Sequence, residues 1–144
     1  MQSFLSDGMA APKILLVDDE GLMLVLYKVH LERAGYQLAT ANSGEEGVEL
    51  AAREMPDLIV MDVMMQGMSG LAALRALKTN DATKAIPVII VTAAADRSLE
   101  AARRESASGG AARFLSKPIS PQQLVAEIQK IVPSQNKPPA ADRK

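Results

Sequence analysis

Residues 56–70 read PDLIVMDVMMQGMSG, and the fold turns on how that stretch is parsed. Leu58, Ile59, Val60 and Met61 form an unbroken apolar run, the pattern of a parallel strand buried on both faces. The run stops at Asp62. A carboxylate placed where a buried strand meets a loop is costly to desolvate without a partner, so Asp62 is a candidate site residue on chemistry alone. Behind it, Gly67 and Gly70 free the backbone to turn, and Ser69 can cap a following helix.

Three other strand ends share this character. Ile14–Val17 runs into Asp18-Asp19-Glu20, Val88–Val91 into Thr92, and Phe114-Leu115 into Lys117-Pro118. In a parallel sheet these ends fall on one edge, where open α/β folds bind their ligands. Acid, acid, hydroxyl and ammonium would converge there.

The segments between the strands read as helices. Leu22 to Ala34 carries Leu22, Leu26 and Val29 on one face and stops at Gly35. Tyr36–Ala41 is short and strand-like. Ser43 opens a capping box with Glu46, and Val48, Ala51, Ala52 and Met55 follow at i, i+3, i+4 and i+7 before Pro56. Ser69 caps a helix that turns Leu71, Leu74 and Leu77 inward, and Ile86–Thr92 reads as the longest buried strand. Asp96–Ala107 is a poor helix anchored by Leu99 and Ala102 and broken at Gly109-Gly110. After Arg113–Ser116, Ser120, Pro121 and Gln123 start a last helix faced by Leu124, Val125, Ile128, Ile131 and Val132. The result is five βα units, hence an α/β fold: a doubly wound parallel sheet with right-handed crossovers. Residues 1–12 are expected to be a disordered lead-in, 13–132 the folded domain and 133–144 a flexible tail.

Composition narrows the function. The chain has 144 residues, 48% hydrophobic and 23% charged, which suits one soluble globular domain. A net charge of −1 supplies no basic field for nucleic acid, and two Phe and two Tyr leave little to stack bases on. With no cysteine there is no disulfide or thiolate chemistry. No apolar run reaches the roughly 18 residues that span a bilayer, so no membrane contact is expected and the cytoplasm is the expected compartment. His30, the one histidine, has no acid or serine at helical spacing and reads as an ordinary surface residue.

The set Asp18-Asp19, Asp62, Thr92 and Lys117-Pro118 resembles the receiver domain of two-component response regulators. The surrounding text matches as well: ILLVDDE, DLIVMDVMMQGMSG, PVIIVTA and GAARFLSKPI. Any one piece is weak; four in order, each at a strand end, are specific, and they cover about Lys13–Val132. The resemblance implies a flavodoxin-like sheet of strand order 2-1-3-4-5. It implies that Asp62 accepts a phosphoryl group from a sensor histidine kinase or phosphotransfer protein. Asp18, Asp19, Asp62 and the backbone carbonyl of Met64 would bind Mg²⁺, an ion that prefers hard oxygen ligands. Thr92 and Lys117 would serve the phosphoryl oxygens, Thr92 and Phe114 would form the switch, and the Lys117-Pro118 bond would be cis. One departure is visible: Gln66 stands where the family usually has proline.

The leading reading is a stand-alone receiver that signals through a downstream protein or a phosphorylation-dependent dimer. A phosphorelay intermediate, or a receiver cut from a longer regulator or hybrid kinase, is the alternative. An aspartyl-phosphate phosphohydrolase is disfavoured, because such enzymes usually carry an acid two residues after the nucleophile and that position is Met64. Apart from self-catalysed phosphorylation and dephosphorylation, no enzymatic activity is expected.

Overall fold

Side chains alternate along a strand, so Ile14 and Leu16 point to one side of a sheet while Leu15 and Val17 point to the other. All four are buried, which requires covering layers on both faces. The computed structural model describes residues 11–93 and 96–134, with the side chains of 96–98 excepted. It shows those layers: β1 (Lys13–Val17), α1 (Gly21–Arg33), β2 (Gln37–Ala41), α2 (Gly44–Glu54), β3 (Leu58–Asp62), α3 (Gly70–Thr79), β4 (Val88–Thr92), α4 (Asp96–Ser108), β5 (Arg113–Ser116) and α5 (Pro121–Ile131). The five strands are parallel in the order β2-β1-β3-β4-β5.

Two cores result. On one face Ile14, Leu16, Leu58, Val60, Ile89 and Val91 meet Tyr27 and Leu31 of α1 and Leu124, Val125 and Ile128 of α5. On the other, Leu15, Val17, Ile59, Met61, Val88 and Ile90 meet Ala51 of α2 and Ala73, Leu74 and Leu77 of α3. The strand order reverses between β1 and β3, which opens the crevice at the carboxyl ends of those strands.

Several local expectations need correction. In α1 the face carrying Leu22, Leu26 and Val29 is the outer one; Tyr27 and Leu31 face the sheet. The helix is apolar nearly all round, so spacing alone does not choose its inner side. In α2, Ala52 and Met55 are exposed, and Gly44, Gly47 and Ala51 face inward. A Cβ on Gly47 would lie 2.9 Å from a Val17 methyl, so the glycine edge of that helix sits hard against β1. The Ser43 hydroxyl accepts from the Glu46 amide, but the Glu46 carboxylate reaches back to the Asn42 amide rather than to Ser43. β4 starts at Val88, because Pro87 has no N–H to give a neighbouring strand. It is therefore no longer than β1, β2 or β3.

Other ends follow the sequence signals. α1 closes on Gly35 at φ +101, with the Gly35 amide on the Glu32 carbonyl and the Tyr36 amide on the Leu31 carbonyl. α5 begins with a full capping box between Ser120 and Gln123 and with Pro121 in its first turn. Of the expected lead-in and tail, residues 1–10 and 135–144 lie outside the described residues. Ser134, within the expected tail, is buried and donates its hydroxyl to the Ala34 carbonyl.

Candidate functional site

β1, β3, β4 and β5 present their carboxyl ends side by side. Val17 pairs with Met61, Asp62 with Val91, and Thr92 with Ser116, so Asp18, Asp62, Thr92 and Lys117 come out on one edge within two residues of each other in register. The Lys117 amide donates to the Thr92 carbonyl and the Asp18 amide to the Ala41 carbonyl, which extends the ladder into the site itself. The Lys117-Pro118 peptide bond is cis.

Asp18 and Asp62 are each 6% exposed, unusual for carboxylates, while Asp19 stands open to solvent. One carboxylate oxygen from each of the three lies within 4.8 Å of those of the other two. The Lys117 ammonium bridges the two buried acids, 3.2 Å from Asp18 Oδ2 and 3.5 Å from Asp62 Oδ2, with Glu20 Oε1 at 4.0 Å. Three backbone amides hold the acids in place. Glu20 N–H donates to Asp18 Oδ1 at 2.9 Å, Met64 N–H to Asp62 Oδ1 at 3.3 Å, and Gln66 N–H to Asp19 Oδ2 at 3.3 Å.

The charge balance is poor by design of the cluster: three acids face one resident ammonium. Burial pushes the Asp62 carboxyl up to about 6, and the Asp18 charge adds to the push while Lys117 opposes it. Burial also disfavours the Lys117 ammonium, yet Asp62, Asp18 and Glu20 together hold its pKa above the ordinary value. Such an oxygen-rich, electron-rich corner fits a small hard dication, which takes carboxylate and carbonyl oxygens and relieves the repulsion among them.

The loop after Asp62 is shaped to let α3 close on it. A Cβ on Gly70 would come within 2.1 Å of the Asp62 carbonyl oxygen, so only glycine permits that approach. Thr92 is fully buried at the end of β4. Phe114 does not join the acids. It lies half-buried on the other side of the sheet, packed against the core beneath α3, with the Arg103 guanidinium 5.0 Å above its ring. Beside it a cavity of about 310 Å³ is lined by Arg103, Ser106 and Ala111, and the buried Ser106 hydroxyl has no hydrogen-bond partner among the described residues. Ala94, a neighbour of Thr92 that family resemblance would make a modulator, lies outside the described residues.

Sequence reasoning missed three participants. Glu20 reads in the sequence as one of the strand-end acids, and its approach to Lys117, at 4.0 Å, depends on the fold. Tyr27 lines the floor of the site and donates its hydroxyl to the Ile119 carbonyl. Gln66 contributes through its backbone amide, which the side-chain sequence does not advertise; the missing proline was the one available signal. His30 stays away from the site, its Nδ1 against the Leu26 carbonyl.

The chain is similar to known proteins. The family model described as the response regulator receiver domain matches residues 14–129. The protein PilH of Pseudomonas aeruginosa is 36% identical over 120 residues, which are 83% of this chain and 97% of PilH. The response regulator PleD of Caulobacter vibrioides is 37% identical over 119 residues, again 83% of this chain, which spans only 26% of PleD. Among solved structures, the chemotaxis protein CheY4 of Vibrio cholerae superposes with a TM-score of 0.77 at 28% identity, covering 85% of this chain and all of that one.

Proposed function

Because the chain belongs to the response regulator receiver domain family, a family of signalling domains rather than of classical enzymes, we propose that Asp62 is its phosphoacceptor. The observation that carries this reading is the buried Asp62 carboxylate, clustered with Asp18 and Asp19 and bridged to Asp18 by one lysine. A carboxylate oxygen of Asp62 attacks the phosphorus of a phosphohistidine on a sensor kinase or phosphotransfer protein. The new P–O bond forms as the P–N bond breaks, and the electron pair leaves with the imidazole nitrogen. Such a transfer needs positioning and charge neutralisation more than covalent help.

The chain's own residues supply both. Lys117 places a point charge where the phosphoryl oxygens arrive, and Thr92 offers a hydroxyl donor from the neighbouring strand. Asp18, Asp19, Asp62 and the Met64 carbonyl are the residues that would hold Mg²⁺, which when bound neutralises charge on the acids and the phosphoryl group. Glu20 and the amides of Met64 and Gln66 keep the acids oriented. Phosphorylation then draws Thr92 toward the new charge, and Phe114 repacks behind it, changing the face formed by α4, β5 and α5. A downstream protein, or a second receiver, reads that face.

A receiver working inside a larger regulator is the second reading: the chain spans about a quarter of PleD and nearly all of PilH.

The test is incubation with acetyl phosphate, followed by intact mass. Wild type is expected to gain a single phosphoryl group with Mg²⁺ or Mn²⁺ present and none in EDTA, and Asp62→Asn to gain none. Labelling that persists in both EDTA and the Asp62→Asn variant sinks the proposal.

A further inference from the structure

Lys117 has to hold its ammonium beside two buried acids, 3.2 Å from Asp18 and 3.5 Å from Asp62. Yet the backbone around it is thinly tied down. The Lys117 amide donates to the Thr92 carbonyl. Beyond it, Pro118 has no N–H to give, and neither Pro118 nor Ile119 makes a backbone–backbone hydrogen bond among the described residues. Regular structure resumes with α5, capped by Ser120. Lysine is a point charge on a flexible stem, so the anchoring of its backbone sets the region in which that charge can sit.

One side chain supplies a second anchor. Tyr27, buried in the second turn of α1, donates its hydroxyl to the Ile119 carbonyl at 3.0 Å, across 92 positions of sequence. Its ring lines a cavity of about 10 Å³ together with Asp18, Asp62 and Lys117, and a second of about 340 Å³ together with Glu20, Met23 and Ile119. Helix α1 is also the element that follows directly on Asp18, Asp19 and Glu20. The Tyr27 hydroxyl therefore joins the connection that carries the acids to the connection that carries the lysine. Core packing does not require it, since a phenylalanine ring fills the same position. The chain's other tyrosine offers a comparison: Tyr36 donates its hydroxyl to the Val132 carbonyl at 2.6 Å, in the same core but at the opposite edge of the sheet from the acids.

We propose that Tyr27 is a positioning residue for phosphoryl transfer to Asp62: through the Ile119 carbonyl it fixes the Lys117 segment so that the ammonium meets the incoming phosphoryl oxygens. This role rests on the phosphoacceptor reading of Asp62. The hydroxyl is bonded to Ile119 and not to the acids, so it acts on the lysine and leaves the set that would hold Mg²⁺ as it is. A misplacement of about 1 Å in a group that stabilises developing charge can cost about 100-fold in rate. Losing one of two backbone anchors is a smaller disturbance, and a loss of about tenfold is expected without the hydroxyl.

The test is the initial rate of acetyl phosphate labelling of the full chain at saturating Mg²⁺, read by intact mass. Wild type, Tyr27→Phe, Lys117→Ala and the double variant form a cycle, and Tyr36→Phe is the matched loss of a buried tyrosine–carbonyl bond. Tyr27→Phe is expected to label about tenfold more slowly than wild type, and Tyr36→Phe within about twofold of it. In the Lys117→Ala background, Tyr27→Phe is expected to change the rate by less than about twofold, because its effect runs through the lysine. Mg²⁺ binding by calorimetry is expected to be no weaker in Tyr27→Phe than in wild type. Tyr27→Leu, which removes ring and hydroxyl together, goes through the same cycle with the same expectation should circular dichroism show Tyr27→Phe unfolded. A wild-type rate in Tyr27→Phe overturns the proposal, as does an equal loss in Tyr36→Phe or an undiminished loss in the Lys117→Ala background. Weaker Mg²⁺ binding that accounts for the whole rate loss overturns it too. Each of those results leaves Asp62 labelled and its reading intact, whereas a wild type that takes up no phosphoryl group overturns both.

Discussion

At the scale of single residues, Asp62 sits in tension with its surroundings. Its carboxyl is pushed up to about 6 by burial first and by the neighbouring Asp18 charge second. The ordinary carboxylate value in an unfolded chain lies near 3.9. The folded state therefore binds the proton more tightly than the unfolded one. Stability contributed by that proton is fully present below the unfolded value and is lost as pH rises through about 6. A shift of that size corresponds to roughly 3 kcal/mol between the two limits. In metal-free protein, urea unfolding followed between pH 4 and 8 is expected to show wild type losing stability relative to Asp62→Asn as pH rises. Parallel curves for the two proteins would mean that the carboxylate is not strained. Gln66 illustrates the opposite kind of residue, one whose contribution is all backbone. Its amide donates to Asp19, a bond that a proline at the same position has no hydrogen to make.

At the scale of elements, α4 is weakly anchored. It offers the core Ala102 and a half-buried Leu99, buries a serine hydroxyl that has no hydrogen-bond partner among the described residues, and ends at Gly110 with φ +93. Few apolar anchors and an unsatisfied polar group place an element at the low end of local stability. Arg103 ties it to β5 through the ring of Phe114, a contact worth about 0.5–1 kcal/mol at an exposed site. Beryllofluoride or phosphorylation is thus expected to change amide exchange most across α4 and β5, beyond the loops that follow Asp19 and Asp62. Changes confined to those two loops would remove this face as the output and favour a relay role. Arg104→Glu is the better probe of partner binding here, since Arg103 also supports Phe114, while among the described residues Arg104 pairs with Glu100 of its own helix.

At the scale of the whole molecule, what was legible in the sequence divides by physical cause. Strands buried on both faces announce themselves as runs such as Leu58–Met61, and βα alternation then leaves few topologies. The site was legible because its side chains are acids, a hydroxyl and an ammonium at strand ends, residue types that buried positions otherwise avoid. The facing of α1 was not, because a helix apolar on both sides has no period that picks the sheet side. Nor was the facing of α2, where the inward side is set by glycines whose role is the absence of a side chain. Contacts made through main-chain amides, such as that of Gln66, and couplings across the sheet, such as Arg103 on Phe114, depend on placement that no local pattern encodes. All of these features converge on one atom pair, the carboxylate oxygens of Asp62 beside the Lys117 ammonium. The most direct measurement is to phosphorylate the protein with acetyl phosphate and Mg²⁺, reduce the acyl phosphate with borohydride, and locate the modified residue by peptide mass spectrometry. Homoserine at position 62 is the expected result; modification at Asp18 or Asp19, or a phosphoryl group that resists borohydride because it sits on His30, would contradict it.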